Sequence, residues 1–203
     1  MVAMNSPLPP DPSGWLPTAP PVLLVPGYRN SGPDHWQSHW EKQWPQVRRI
    51  DLGSWDAPDR ELWQERFQAA VQACREPPLV VAHSLGCLVV ADHQARGALA
   101  PVAAALLVAP PDPGHPEAPE AIRGFGPVAR GRFQVPGLVV SSSNDPFAAE
   151  AYVLELAQDW GLSTNRLGPC GHINADSGLG DWRQGMALLA ALHTAASNPE
   201  PDA

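Results

Sequence analysis

"VVAHSLGCLVV" (residues 80–90) decides the fold, because its character changes within one residue. The apolar run up to Ser84 reads as a strand buried on both faces, and the stretch from Leu85 reads as a helix that Gly97 stops, with no loop between them. A strand that turns straight into a helix leaves one side chain on the bend, and here it is a serine. Residues two before and two after such a bend must be small, or their side chains collide; Ala82 and Gly86 meet that need. Ser84 either caps the helix or stands exposed on a strained turn. Ser-x-Gly is expected about once by chance in a chain of this length, so the surroundings must decide.

Short apolar runs alternate with segments of helical period on both sides of this stretch. "PVLLVPG" (21–27), "VRRIDL" (47–52), "PLVVAHS" (78–84), "AALLVAP" (104–110), "PGLVVSSSND" (136–145) and "STNRLG" (163–168) read as strands. Between them, "DHWQSHWEKQW" (34–44) reads as a helix capped by Asp34, with Trp36, Trp40 and Trp44 as a core stripe. "DRELWQERFQAAVQAC" (59–74) reads as an amphipathic helix with Leu62, Phe67, Ala70 and Val71 near one face. "PFAAEAYVLELAQDWG" (146–161) and "DWRQGMALLAALHTAA" (181–196) are the later helices. This alternation predicts a three-layer α/β fold: a mostly parallel sheet with helices on both faces. No segment is long enough for a cap domain, and residues 110–136 are expected to form a loop or short helix rimming the pocket.

Composition narrows the function classes. The chain has 203 residues, 44% hydrophobic and 17% charged, which suits one globular domain. Residues 1–20, rich in proline, and residues 197–203 read as flexible tails around a domain at 21–196. The longest apolar runs are too short for a bilayer, and the N-terminus lacks the pattern of a secretory signal; a cytoplasmic location without membrane contact is expected. With a formal charge of −8 and scattered basic residues, nucleic acid is not an expected partner. The three cysteines, Cys74, Cys87 and Cys170, match neither zinc nor redox spacing and read as reduced and structural.

In an open parallel sheet, ligands bind beyond the carboxyl ends of the strands. Ser84 lies at such an end, and a serine attacks well only when a base takes its proton and a carboxylate orients that base. Of the seven histidines, His172 has the most suggestive setting, in the Gly-rich "GPCGHINADSGLGDW" after the last strand; His115 ranks second. His83 should point away from the Ser84 side chain, and His93 and His193 read as helix-surface residues. Asp145 ends the run "GLVVSSSND" on the same edge; Asp112 and Asp176 are weaker candidates, and Asp145 could instead cap a helix starting at Pro146. The order Ser84, Asp145, His172 is that of the α/β-hydrolases. For the developing oxyanion, the expected donors are the backbone N–H of Leu85 and, from the loop after the first strand, that of Tyr28.

These stretches give the chain a resemblance to a known family. "VPGYRNSGPDHWQSHWE", "VVAHSLGC", "VVSSSNDPF" and "GHINADSGLGDW" resemble the compact serine hydrolases of the retinoblastoma-binding-protein-9 family, over residues 21–196. The resemblance implies a cap-less α/β-hydrolase with Ser84 as nucleophile, His172 as base and Asp145 as orienting acid. Ala82 departs from the general G-x-S-x-G pattern but stays small.

The expected activity is hydrolysis of small carboxylic esters, and of amides or thioesters as alternatives, through an acyl-enzyme. Neither cofactor nor metal is expected. His35 and His39 lie four apart, but no Glu sits between them as in H-E-x-x-H and no third ligand is evident. The rival reading is a weakly active hydrolase scaffold that serves as a protein-binding module.

Overall fold

The computed structural model describes residues 19–99 and 101–198. Its sheet has six parallel strands, β1 (Val22–Val25), β2 (Val47–Arg49), β3 (Leu79–His83), β4 (Ala104–Val108), β5 (Gly137–Ser141) and β6 (Ser163–Arg166), in the order β2-β1-β3-β4-β5-β6. The chain winds outward from β1 to one edge, crosses to β3, then winds outward to the other, and Ser84 follows the central strand at the crossover.

Successive strand residues face opposite layers, and both sets are apolar because both faces are covered. Leu23, Val25, Val80, Ala82, Ala105 and Leu107 pack against α2 (Arg60–Gln72), α3 (Leu85–Ala95) and α5 (Glu150–Trp160). Val22, Leu24, Val81, Leu106 and Val140 pack against α1 (Trp36–Gln43) and α6 (Arg183–Ser197). This is the expected three-layer architecture. The long β4–β5 connection holds only a single-turn helix, α4 (Glu120–Arg123). Among the described residues no helix is long and apolar enough to cross a membrane.

Several local expectations need correction. β2, β4 and β5 stop at Arg49, Val108 and Ser141, earlier than their apolar patterns suggested. α1 is capped by His35, whose Nδ1 accepts from the Gln37 N–H at 3.1 Å, and not by Asp34. On α2 the buried residues are Trp63, Gln64, Phe67 and Val71, so Phe67 and Val71 face the core as expected, while Leu62 is 37% exposed and Trp63 takes its place. α5 begins at Glu150 because the Asp145 carboxylate accepts from the Phe147 N–H at 2.9 Å and holds residues 145–147 in a turn. His93 is buried, since α3 lies between the sheet and α2; its Nδ1 meets Gln64 Oε1 at 3.2 Å. Beside it, buried Asp92 accepts two bonds from Arg60 at 2.5 and 2.7 Å. Of the expected tails, residues 1–18 and 199–203 lie outside the described residues, and α6 runs through Ser197.

The start of α3 runs against the end of β1. A Cβ added to Gly86 would sit 2.2 Å from the Val25 carbonyl oxygen and 2.8 Å from that of Pro26. Gly86→Ala is therefore expected to cost about 3 kcal/mol, a fall in Tm of roughly 6–12 °C; a calorimetric Tm equal to wild type would contradict this close approach.

Candidate active site

Ser84 occupies the bend between β3 and α3 at φ 54° and ψ −127°, a region L-residues rarely adopt. It stands at the helix N-cap position, yet its side chain makes no cap bond. Instead Ser84 Oγ lies 2.8 Å from His172 Nε2. On the other side of that ring, Nδ1 lies 2.8 and 3.0 Å from the two carboxylate oxygens of Asp145. Both the imidazole and the carboxylate are buried. The carboxylate fixes the proton on Nδ1 and leaves the Nε2 lone pair facing the serine hydroxyl. Asp145 thus spends its oxygens on the turn at Phe147 and on His172.

The loop that carries His172 is held from two directions. From the end of β5, Ser142 Oγ accepts from the Cys170 N–H at 3.0 Å and Asn144 Oδ1 from the Gly171 N–H at 2.7 Å. From the other side, His83 at the end of β3 donates through Nε2 to the His172 carbonyl at 2.9 Å, and Trp36 of α1 donates through Nε1 to the Ile173 carbonyl at 2.8 Å. The His83 contact was not foreseen from sequence, where adjacency to Ser84 was the visible feature. Its ring lies 4.9 Å from that of His172 and lines the cleft beside Ser84.

Leu85 opens α3, so its N–H is a first-turn donor without an acceptor inside the helix. The loop after β1 passes tightly over it: a Cβ on Gly27 would lie 2.7 Å from Ser84 Cβ and 3.0 Å from the Leu85 nitrogen. The next two amides are committed, Arg29 N–H to the Trp55 carbonyl at 2.9 Å and Asn30 N–H to that of Gly27 at 3.0 Å. Tyr28 follows Gly27 directly and lines the cleft.

The cleft above Ser84 has a volume of about 390 Å³. Its walls come from different strand ends. The loop after β1 contributes Asn30 and His35, whereas the segments after β4 and β5 contribute Pro111, Pro119, Ile122 and Phe147. Because β1 and β4 flank β3, the apolar residues after β4 and β5 form a wall across Ser84 from the loop after β1, and the loop after β6 adds the polar Asn174 and Asp176. As expected, the 110–136 connection supplies part of the rim.

The competing candidates do not join the hydrogen-bonded chain from Asp145 through His172 to Ser84. Asp112 Oδ1 accepts from the Gly114 N–H, and His115 Nδ1 from the Glu117 N–H. Asp176 lines the cleft, exposed, on the one-turn 3-10 helix Ala175–Ser177. His35 and His39 do not converge on a common point: His35 caps α1, while His39 Nδ1 meets Asp181 at 3.0 Å. Buried Cys87 has its thiol pKa pushed up by burial, which suits a packing role.

Fold and site together define an α/β-hydrolase of minimal size. The chain belongs to the serine hydrolase family, whose model matches residues 22–191. Among solved structures it is similar to a protein from Pectobacterium atrosepticum described as a YdeN-like hydrolase, at 30% identity over 91% of this chain and 96% of that one, with a TM-score of 0.78. The ydeN gene product of B. subtilis shares the fold at 18% identity, over 85% and 98% of the two chains, with a TM-score of 0.67. An esterase domain from a Rhodothermus marinus protein does so at 18% identity, over 87% and 88%, with a TM-score of 0.63. No curated protein sequence matches the chain.

Two histidines beneath the site are held neutral. Burial, then the charge of Arg49, pushes the His35 pKa down to about 3; burial, then the neighbouring His35 and His172, pushes that of His83 well below the ordinary value. An unfolded chain protonates these rings near about 6.5. Below that pH the unfolded state binds protons the folded state refuses, so stability is present above pH 6.5 and is lost as pH falls towards the folded value. His35 alone is expected to make the protein about 2 kcal/mol less stable at pH 5 than at pH 7. Urea unfolding at both pH values measures this, and equal free energies would exclude it.

Proposed function

We propose that this serine hydrolase cleaves small carboxylic esters through an acyl-enzyme formed on Ser84. The observation that carries the reading is the unbroken chain from the Asp145 carboxylate through His172 to Ser84 Oγ, with every link between 2.8 and 3.0 Å. His172 takes the Ser84 proton as Oγ attacks the carbonyl carbon, and Asp145 holds the imidazole and stabilises its charge. The Leu85 and Tyr28 amides receive the oxyanion, aided by the positive end of the α3 dipole. As the tetrahedral species collapses, His172 passes its proton to the departing alcohol. It then takes a proton from the water that attacks the acyl carbonyl, and returns it to Ser84 Oγ as the second tetrahedral species collapses to the free acid and free Ser84.

A cleft of about 390 Å³ lies near the small end of ligand sites, and its apolar wall suits a short acyl chain. Within the serine hydrolases, the motifs around Ser84, Asp145 and His172 favour a place near the retinoblastoma-binding-protein-9 branch.

A fluorophosphonate probe should label folded wild type at Ser84 and fail to label Ser84→Ala or heat-denatured protein. With p-nitrophenyl esters of short acids, Ser84→Ala should lose at least about 10⁴-fold in kcat, and Asp145→Asn about 10³- to 10⁴-fold with its fold intact. Well-folded wild type that neither labels nor turns over would shift the reading to a binding scaffold.

A further inference from the structure

The loop that carries Tyr28 is held in a conformation its own sequence does not favour. Arg29 and Asn30 are consecutive non-glycine residues at φ 64° and 62°, in the left-handed region. Such backbone persists only where its surroundings over-determine it. The Asn30 N–H donates to the Gly27 carbonyl at 3.0 Å, closing a tight turn with Tyr28 and Arg29 at its centre. Glycine is the usual residue where Arg29 stands in such a turn. With the Arg29 amide given to the Trp55 carbonyl and that of Asn30 to Gly27, the turn sets the direction of the Tyr28 N–H.

One side chain grips the far end of this turn. Arg49 Nη1 donates to Asn30 Oδ1 and to the Ser31 carbonyl, each at 2.8 Å, and Nη2 donates to Ser38 Oγ at 2.7 Å. Ser38 Oγ donates in turn to the same Ser31 carbonyl at 2.9 Å. Asn30 Oδ1 also accepts from the Ser31 N–H at 2.8 Å, so backbone and guanidinium meet on one oxygen. Arg49 is itself fixed, since it ends β2 in register with Leu24 of β1, and Glu41 lies 3.0 Å from its Nη2. A guanidinium suits this place because its rigid planar fork serves several acceptors at once, which a single ammonium does not.

We infer that Arg49 is a positioning residue for the oxyanion hole: by clamping Asn30 and Ser31 from the edge strand β2, it holds the Arg29–Asn30 turn and so aims the Tyr28 N–H. It acts through the loop and touches no substrate. This rests on the ester-hydrolase reading proposed above, in which that amide receives the oxyanion. A well-aimed donor counts for more in the transition state, where the oxygen carries charge, than in the bound ester. Loosening the clamp therefore lowers kcat and leaves KM nearly unchanged.

The test is steady-state hydrolysis of p-nitrophenyl butyrate at pH 8, where His35 is neutral with or without the charge of Arg49 beside it. Arg49→Met keeps the apolar stem and removes every donor; its kcat should fall about 30- to 100-fold with KM within about threefold of wild type. Arg49→Lys keeps the charge and restores one donor group, so its kcat should lie between the two. Wild-type kcat in folded Arg49→Met, a loss in Arg49→Lys as large as in Arg49→Met, or a loss carried mainly by KM would each overturn the inference. If Arg49→Met fails to fold, Arg49→Lys decides alone: a kcat at least about threefold down at unchanged KM supports the clamp, and wild-type kcat overturns it. Fluorophosphonate labelling of Ser84 separates the two levels. Active, labelled wild type with unaffected Arg49 variants leaves the hydrolase reading standing without this inference, and wild type that neither labels nor turns over overturns both.

Discussion

The backbone of Ser84, forced to φ 54° and ψ −127°, is the constraint around which the site is arranged. Such a conformation costs on the order of 1–3 kcal/mol and persists only where its surroundings over-determine it. Here three contacts do so. The Ser84 N–H donates to the Val108 carbonyl at 2.9 Å, tying the bend to β4. Gly86 brings α3 against the last carbonyls of β1, and Gly27 brings the following loop against Ser84 itself. The bend is thus clamped between the two strands that flank β3, and the sheet order β1-β3-β4 makes the clamp possible. A side chain larger than hydrogen at position 86 would force the helix away from the strand, which is why the small residues around the serine matter more than their identity in any pattern.

The histidine needs equal precision but comes from a loop, so it is fixed by polar bonds instead of strand pairing. Ser142, Asn144 and Asp145 turn the end of β5 into a row of acceptors, two for loop amides and one for the imidazole. His83 and Trp36 fix the carbonyls of His172 and Ile173 from the far side. Anchoring a loop to rigid elements on both sides removes most of the reorganisation that a proton transfer would otherwise require.

The architecture was legible in the sequence because a parallel sheet covered on both faces writes itself as continuous apolar runs, and β1, β3, β4 and β5 are such runs. The candidate site residues were legible as positions: strand ends can be ordered before any contact is known, and Ser84, Asp145 and His172 fell at one edge. What escaped notice was tertiary. Leu62 and Trp63 are adjacent and both apolar, so the start of the α2 stripe could be set on Leu62 although Phe67 and Val71 were placed rightly. His93 follows the buried Asp92 on a helix packed nearly all round, and only Arg60 and Gln64, from another helix, show how such polar groups are satisfied. His35 was obscured because Asp34 is the better cap by type; the choice of cap depends on which side chain reaches the Gln37 amide.

The aromatic cluster beneath the site ties packing to electrostatics. Trp36 packs against Trp40 and Trp182 at 4.8 Å each, and its ring also meets those of His35 and His83, at 5.2 and 6.0 Å. Tryptophans at helical spacing read as core, and Trp36 and Trp40 are core while Trp44 is only half-buried at its edge; this core also supplies the burial that keeps the two imidazoles uncharged. In the proposed mechanism His172 acquires a positive charge when Ser84 loses its proton. A protonated neighbour would oppose that step at short range and in a medium of low dielectric, whereas two neutral rings leave the Asp145 carboxylate as the charge the imidazolium meets directly. Trp36, backed by Trp40 and Trp182, therefore acts on the chemistry without touching a substrate, by helping to deny a proton to the two histidines it packs against.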